Sequence, residues 1–124
     1  MNYKTKQIKG KGRGKLLLGY PTINLEIPER FDEQDGIYAG FVWIDKKKYR
    51  GAFHYGPIPT FNENEKSLEV FLIDIKEKDM PFLENVIIEI QLIEKIRDII
   101  KFDKLKDLSR QIKADVQEVN KKLQ

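Results

Sequence analysis

The chain has 124 residues, 40% hydrophobic and 35% charged, which fits a single globular domain with one modest core. Its net charge of +3 is spread along the sequence, so it permits nucleic-acid binding without indicating it. The lack of cysteine excludes disulfides, zinc–thiolate sites and a cysteine nucleophile, and it agrees with a cytoplasmic location. No apolar run reaches the ~20 residues of a membrane-spanning helix, and the N-terminal MNYKTKQIKG has no signal-peptide core.

Three glycines alternate with basic residues in the run GKGRGK, which begins at Gly10. Gly12 and Gly14 would let the backbone approach an anion closely, and Arg13 and Lys15 would supply positive charge. The P-loop pattern is absent, because a leucine follows Lys15 where that pattern needs serine or threonine. The run therefore predicts either a site for a small anion such as a nucleotide or a solvated turn.

The next segment is GYPTINL, in which Pro21 favours an extended chain at the residue before it. In an extended chain Thr22 and Asn24 project to one side, while Ile23 and Leu25 project to the other, towards the core. A hydroxyl oxygen beside an amide oxygen suits a hard cation such as Mg²⁺. The alternative is a half-buried edge strand whose polar side chains face water.

Four later segments predict strands, because they are rich in aromatic and β-branched residues or alternate strictly between apolar and polar. They are IYAGFVWI at 37–44, YRGAFHY at 49–55, SLEVFLIDI at 67–75 and VIIEIQLIEKI at 86–96. The polar DKKK between the first two indicates a hairpin.

Two polar residues stand out within these segments. Glu69 interrupts an apolar strand, and a carboxylate in such surroundings usually has a partner or a task, such as that of a general base. The alternative is a residue at the end of the strand that faces solvent. His54 is the only histidine, and we interpret it as a strand histidine rather than as a ligand.

The pattern changes at Phe102, after which apolar residues recur every three or four positions, as on one face of a helix over about 103–123. They are Leu105, Leu108, Ile112, Val116, Val119 and Leu123. Asp103 is the predicted N-cap. We expect one mainly β domain over 1–124, an antiparallel barrel or sandwich over about 1–101 that the helix closes.

Four motifs in order resemble the riboflavin kinase (flavokinase) family, whose module also stands at the C-terminus of bifunctional bacterial FAD synthetases. They are GKGRGKLLLGYPTIN, then GIYAGFVWI followed by GPIPTF, then SLEVFLID, and finally IRDIIKF with QIKAD. Together they extend over nearly the whole chain. No single motif is decisive, but the ordered set is specific.

The resemblance implies a six-stranded antiparallel Greek-key barrel with a C-terminal helix, and an enzyme that transfers the γ-phosphate of ATP to riboflavin, giving FMN and ADP. It implies that Thr22 and Asn24 hold the Mg²⁺ of the nucleotide and that Glu69 is the catalytic base. It also implies that Arg97 and Phe102 contact the flavin. The resemblance further implies that the nucleotide is bound by Pro21 and by residues of the glycine-rich run, namely Gly10, Gly12, Arg13, Gly14 and Lys15.

The chain departs from the family at three places: Phe71 replaces a frequent histidine, Leu83–Asn85 replaces a segment with tyrosine and glycine, and Ile99 replaces a frequent glutamate. These departures concern nucleotide preference and affinity more than the reaction. An alternative function is therefore a catalytically weakened flavin- or nucleotide-binding module. We expect small-molecule partners, with no nucleic acid and no membrane, in a chain that is either a monomer or joined to an adenylyltransferase domain in a longer parent.

Overall fold

The computed structural model describes residues 2–9, 20–61 and 64–124. Within these ranges the fold is mainly β, with six strands and one long helix at the C-terminal end. The strands are β1 (Asn2–Thr5), β2 (Thr22–Leu25), β3 (Gly36–Ile44), β4 (Lys47–Gly56), β5 (Ser67–Leu72) and β6 (Ile88–Arg97), and the helix is α1 (Leu105–Lys122). Two short 3₁₀ turns lie at Pro59–Phe61 and Glu77–Asp79.

The six strands form one antiparallel sheet in the order β1-β6-β3-β4-β5-β2. The three successive strands β3, β4 and β5 pair as neighbours, and the next strand, β6, returns beside β3, which is a Greek-key connection. The two edges of the sheet meet at the Gln7–Leu25 bridge, where the Ile8 N–H donates to the Asn24 carbonyl at 2.9 Å. The sheet therefore closes over part of its length as a half-barrel, which confirms the expected fold class.

The predicted hairpin joins β3 to β4 through a two-residue turn at Asp45 and Lys46. Both residues have positive φ, 49° and 71°, as the favoured type I′ hairpin turn requires. Halfway along β3, a side chain at Gly40 would collide with the backbone carbonyl oxygen of Gln91 on β6. Only glycine leaves room there for the two strands to approach.

The inner face of the sheet holds the main core. Ile23 and Leu25 of β2 are fully buried there, as the alternation in GYPTINL predicted. Leu68, Val70 and Leu72 of β5 join the same cluster. Tyr3 packs at its edge with 7% exposure, and its hydroxyl donates to Glu33 at 2.8 Å. Burial, and after it this hydrogen bond, raises the pKa of Tyr3 to about 12.

The outer face carries helix α1. We call the residues that pack between them the helix-facing cluster: Ala39, Ala52 and Phe71 of the sheet with Leu108, Ile112, Val116 and Val119 of the helix. The two alanines lie opposite one another on β3 and β4, and their small side chains leave space for the helix to lie against the sheet. The predicted apolar stripe is thus confirmed, except that Leu105, the first helical residue, is 53% exposed.

Polar contacts fix the C-terminal half of α1. The Lys122 ammonium lies 3.0 Å from the Glu94 carboxylate of β6, and Arg50 of β4 donates to Asn120 at 2.6 Å. Arg50 also pairs with Asp74 at 2.6 Å. Burial raises the pKa of Asp74, but hydrogen bonds from the Arg50 side chain and backbone outweigh that effect and hold the pKa below its usual value. The helix is therefore attached to two strands independently of its apolar face.

Several predicted boundaries were wrong by two or three residues. The strand expected over 67–75 ends at Leu72, and the strand expected from residue 86 begins at Ile88. The predicted N-cap Asp103 does not cap the helix, because Lys104 occupies the N-cap position and makes no side-chain capping bond. The exact ends of strands and helices depend on tertiary contacts such as the Arg50–Asp74 pair, which a local pattern does not reveal.

Candidate functional site

The outer face of the sheet carries a row of cross-strand neighbours that we call the polar row. Asn24 of β2 lies opposite Glu69 of β5, and Glu69 lies opposite His54 of β4. His54 lies opposite Ile37 of β3, which in turn lies opposite Arg97 of β6. Directly opposed side chains share a face and have Cβ atoms about 4.5–5.5 Å apart. Three residues predicted from different motifs, Asn24, Glu69 and Arg97, thus come together in one row.

Glu69 is only 8% exposed. It is not buried in the main core, because its neighbours on the strand, Leu68 and Val70, point into that core and Glu69 points the other way. Its carboxylate belongs to the outer face, where it lines a cavity between the sheet and helix α1. The solvent-facing alternative for Glu69 is therefore wrong. A buried carboxylate in such a cavity is suited to accept a proton from a ligand.

The cavity beside Glu69 is mostly apolar and has four polar side chains: Glu69, His54, Arg97 and Asp115. Its apolar lining includes Ile37, Ile58, Phe71, Ile99, Leu108 and Ile112. The volume is about 40 Å³, against the ~300–1,000 Å³ typical of ligand pockets. A three-ring ligand therefore requires this cavity to widen.

Arg97 and Asp115 form an ion pair in the wall of this cavity. The Arg97 Nε donates to Asp115 Oδ1 at 2.8 Å, and Nη2 donates to Oδ2 at 2.7 Å, so the pair is bidentate. The Gln111 amide donates to the same carboxylate at 3.1 Å. The Arg97 Nη1 donates to the Asp98 carbonyl oxygen at 2.9 Å. These contacts fix the guanidinium at the wall of the cavity.

The structure places Phe102, the other predicted flavin contact, beside the cavity rather than in its lining. Its ring packs against the helix-facing cluster, and its backbone N–H donates to the Thr60 hydroxyl at 3.0 Å. Contact with a flavin stays a prediction.

A second, larger cleft lies on the other side of the polar row. It contains Thr22 and Asn24, both half-buried on the outer side of β2, together with Pro21. Its volume is about 910 Å³, and its wall carries two lysines, Lys6 and Lys9, and two glutamates, Glu77 and Glu84. Because Asn24 lies directly opposite Glu69, the large cleft and the small cavity meet at that pair.

The segment that replaces the family's tyrosine–glycine motif forms another wall of the large cleft. Asn85 has a φ of 62°, a conformation that glycine and asparagine tolerate best, and Leu83 is buried in the main core. Phe82 is 76% exposed within this cleft.

The predicted nucleotide-binding residues of the glycine-rich run lie outside the described residues. They are Gly10, Gly12, Arg13, Gly14 and Lys15. Their role stays a prediction, and the described part of the site consists of the two clefts and the polar row between them.

Two residues of the site were missed or undervalued in the sequence. Asp115 lies inside the helix's apolar stripe, three residues after Ile112, and a carboxylate in that position was the signal for a buried partner. His54 was interpreted as a strand histidine, and it is one, but no sequence pattern places it opposite Glu69. That placement depends on the register between β4 and β5.

A family model described as "Flavokinase: Riboflavin kinase" matches residues 1–123. The chain belongs to the riboflavin kinase family. Its relatives include the RNA-binding riboflavin kinase RibR of Bacillus subtilis (strain 168), 32% identical over 118 residues that make up 94% of this chain and 49% of that protein. The chain also matches bifunctional riboflavin kinase/FMN adenylyltransferases, of which it covers 32–35%. It thus spans about a third to a half of the length of these curated relatives.

Two solved structures share the fold of this riboflavin kinase family member. A structure described as a macrolide-efflux protein from Streptococcus pneumoniae has a TM-score of 0.77 and 30% identity, covering 96% of this chain and 38% of that one. The riboflavin kinase of Trypanosoma brucei has a TM-score of 0.66 and 20% identity, covering 98% of this chain and 78% of that one.

Among the described residues, no helix combines the length and the apolar character that a membrane span requires.

Proposed function

We propose that this domain is a riboflavin kinase, which transfers the γ-phosphate of ATP to the terminal ribityl hydroxyl of riboflavin and releases FMN and ADP. The observation that carries the proposal is the polar row, in which Asn24 of the large cleft lies directly opposite Glu69 of the buried cavity. Two substrates in the two clefts would meet at this pair. Membership of the riboflavin kinase family supports the same reaction.

Glu69 would act as the general base. It accepts the proton of the ribityl hydroxyl, the hydroxyl oxygen bonds to the γ-phosphorus, and the bond from that phosphorus to the ADP oxygen breaks. Burial beside apolar residues keeps water away from the carboxylate and holds it in one place. Because phosphoryl transfer depends mainly on positioning and charge neutralisation, a fixed base between two clefts is a suitable arrangement.

Thr22 and Asn24 would hold the Mg²⁺ that accompanies the nucleotide. Both side chains offer neutral oxygens from the same side of β2 into one cleft, and Mg²⁺ takes a few protein oxygens while keeping phosphate and water ligands. The described residues contain no cluster of three or more histidine, cysteine or acidic side chains that could hold a metal by themselves. When bound, Mg²⁺ would neutralise phosphate charge, because Lys6 and Lys9 share the wall of the cleft with Glu77 and Glu84 and give it no net positive charge.

The flavin ring would enter the cavity between the sheet and α1. The apolar walls suit a planar aromatic ring system, and Arg97 supplies hydrogen-bond donors at one side. Since the cavity holds only about 40 Å³, binding requires it to widen. The segment that connects β6 to α1, with Ile99 and the exposed Ile100, forms one wall and is a natural place for that movement.

The test is conversion of riboflavin to FMN by the purified chain with ATP and Mg²⁺, followed by chromatography of the flavins and of ADP. We expect FMN and ADP in equal amounts, and no FMN when ATP is omitted or Mg²⁺ is chelated. Riboflavin binding without FMN, with ATP or any other nucleoside triphosphate, would instead identify a binding module that has lost turnover. If the chain neither binds riboflavin nor forms FMN, the proposal is rejected.

We propose that the domain works on these small molecules in the cytoplasm, which its lack of cysteine supports. Bifunctional relatives combine a riboflavin kinase with an FMN adenylyltransferase, so a longer parent protein could pass FMN to such a domain. The relative described as RNA-binding is about twice as long as this chain. We assign no nucleic acid to the present domain, and binding to RNA with a steep salt dependence would contradict that assignment.

A further inference from the structure

We infer that Asp115, a residue with no predicted role, is a positioning residue that holds Arg97 in the geometry needed to recognise the flavin ring. The inference rests on the proposed function and deepens it at the flavin side of the site. It starts from the burial of Asp115, which is 4% exposed on the sheet-facing side of α1. A carboxylate taken out of water in this way needs full compensation by charge and hydrogen bonds.

Arg97 and Gln111 provide that compensation. Arg97 makes two parallel charged hydrogen bonds to the Asp115 carboxylate, at 2.7 and 2.8 Å, and Gln111 adds a third at 3.1 Å. A bidentate pair fixes the plane of the guanidinium as well as its position. Both partners are well shielded, with 16% of the Arg97 side chain and 5% of the Asp115 side chain exposed. The guanidinium is therefore held rigidly rather than being free to rotate.

The donor count shows what the guanidinium can still do. It has five N–H donors, of which two point to Asp115 and one to the Asp98 carbonyl oxygen. Among the contacts of the described residues, one N–H on each terminal nitrogen has no acceptor and is available to a ligand, on a side chain that lines the cavity. A flavin ring offers acceptors in the carbonyl oxygens and nitrogens along one edge. Two donors at fixed positions would select the orientation of that edge.

A structural role alone is less well supported, because the helix has other attachments to the sheet. Glu94 and Lys122 join the same two elements, β6 and α1, and Arg50 joins β4 to Asn120. The apolar helix-facing cluster adds burial along the helix. An ion pair needed only to tether the helix would not have to lie in the wall of the cavity.

The test uses three variants and riboflavin binding measured by fluorescence titration, which does not require turnover. Asp115→Asn keeps the shape but removes the charge, and we expect the Kd for riboflavin to rise about 10- to 100-fold, the range found when the supporting partner of a metal ligand is removed. The KM for ATP should stay unchanged. Gln111→Met, which keeps the ion pair, should also raise the Kd for riboflavin, but by a smaller factor than Asp115→Asn. The matched control is Glu94→Gln, which removes an ion pair between the same two elements away from the cavity and should leave the Kd unchanged.

The charge-swapped double variant Arg97→Asp with Asp115→Arg separates positioning from tethering. It restores an ion pair between β6 and α1 but moves the guanidinium to the helix. We therefore expect its thermal midpoint to be higher than that of either single variant, Arg97→Asp or Asp115→Arg, while its riboflavin binding stays weak. Recovery of binding in the swap, or unchanged binding in Asp115→Asn, would overturn the inference while leaving the kinase proposal intact. A wild-type chain that binds no riboflavin would overturn both.

Discussion

The two faces of the sheet are made by the same strands, yet they differ in what they hold. The inner face is lined by side chains such as Ile23, Leu68 and Val70, with exposures of 0 to 1%, and it forms the main core. The outer face alternates with it residue by residue and carries Asn24 and Glu69 in the same two strands. Stability and proposed chemistry are therefore assigned to opposite faces of one strand, one residue apart.

This alternation places the buried carboxylates on a face that the main core does not use. The inner face forms that core without the site, and the outer face holds Glu69 and Asp115 under α1, where burial makes each carboxylate depend on its polar partners. A substitution on one face should then change activity and leave stability nearly constant, and a substitution on the other should do the reverse. The variants below test that separation, beginning with the largest expected effect.

Glu69→Gln should lower the rate of FMN formation by ~10²–10⁴-fold, because the amide cannot accept the proton of the attacking hydroxyl. Riboflavin binding and the thermal midpoint should stay close to those of the wild type, since the amide has nearly the same shape. Single-turnover assays with ATP and Mg²⁺ measure the rate. Glu65→Gln, at an exposed position just before β5, is the matched control. Near-normal turnover in Glu69→Gln would remove Glu69 as the base.

Leu68→Ala, one residue earlier, should do the opposite. Loss of a large side chain that is 1% exposed is expected to lower the free energy of unfolding by about 2–5 kcal/mol. Urea titration followed by the fluorescence of Trp43 measures this loss, and the activity of the fraction that remains folded should be near normal. A folded Leu68→Ala protein with strongly reduced turnover would show that the two faces are not independent.

Thr22→Val should raise the Mg²⁺ concentration needed for half-maximal activity. Loss of one direct oxygen ligand is expected to cost at least about 10-fold, the lower end of the effect of outer-shell partners in metal sites. Thr22→Ser keeps the hydroxyl and should behave like the wild type, which separates the ligand from the shape of the side chain. A Mg²⁺ dependence that is the same in all three proteins would reject the metal assignment.

Sequence patterns predicted the apolar surfaces of the strands and of the helix well, because the information for them is local. The alternation in GYPTINL correctly directed Ile23 and Leu25 into the core, and the spacing after Phe102 correctly predicted the buried side of α1. The hairpin at Asp45 followed from the polar residues between two strands. In each case neighbouring residues along the chain determine the outcome.

The polar row could not be assembled in the same way, because its members are separated along the chain from Asn24 to Arg97. Their meeting depends on the register of four strand pairs, and a slip of one residue would move any of them to the other face. The family resemblance named three members, but not that Asn24 and His54 flank Glu69 or that Asp115 holds Arg97. The small volume of the cavity is likewise a property of packing between the helix and the sheet.

The smallest expected effect concerns the edge of the inner face, where Tyr3 packs with its hydroxyl on Glu33. The pKa of Tyr3 is raised from 10.0 to about 12 by burial and then by this hydrogen bond, so folding favours the neutral phenol. Its contribution to stability is complete below pH 10 and is lost as the pH rises through about 12. The free energy of unfolding should therefore fall more steeply over this window in the wild type than in Tyr3→Phe, which cannot ionise there. Denaturant titrations of both proteins at several pH values measure the two free energies of unfolding. Their difference excludes the titration of lysines, because the lysines are common to both proteins. Parallel curves would mean that Tyr3 is as free to ionise in the folded chain as in the unfolded one, and that this edge of the core admits water.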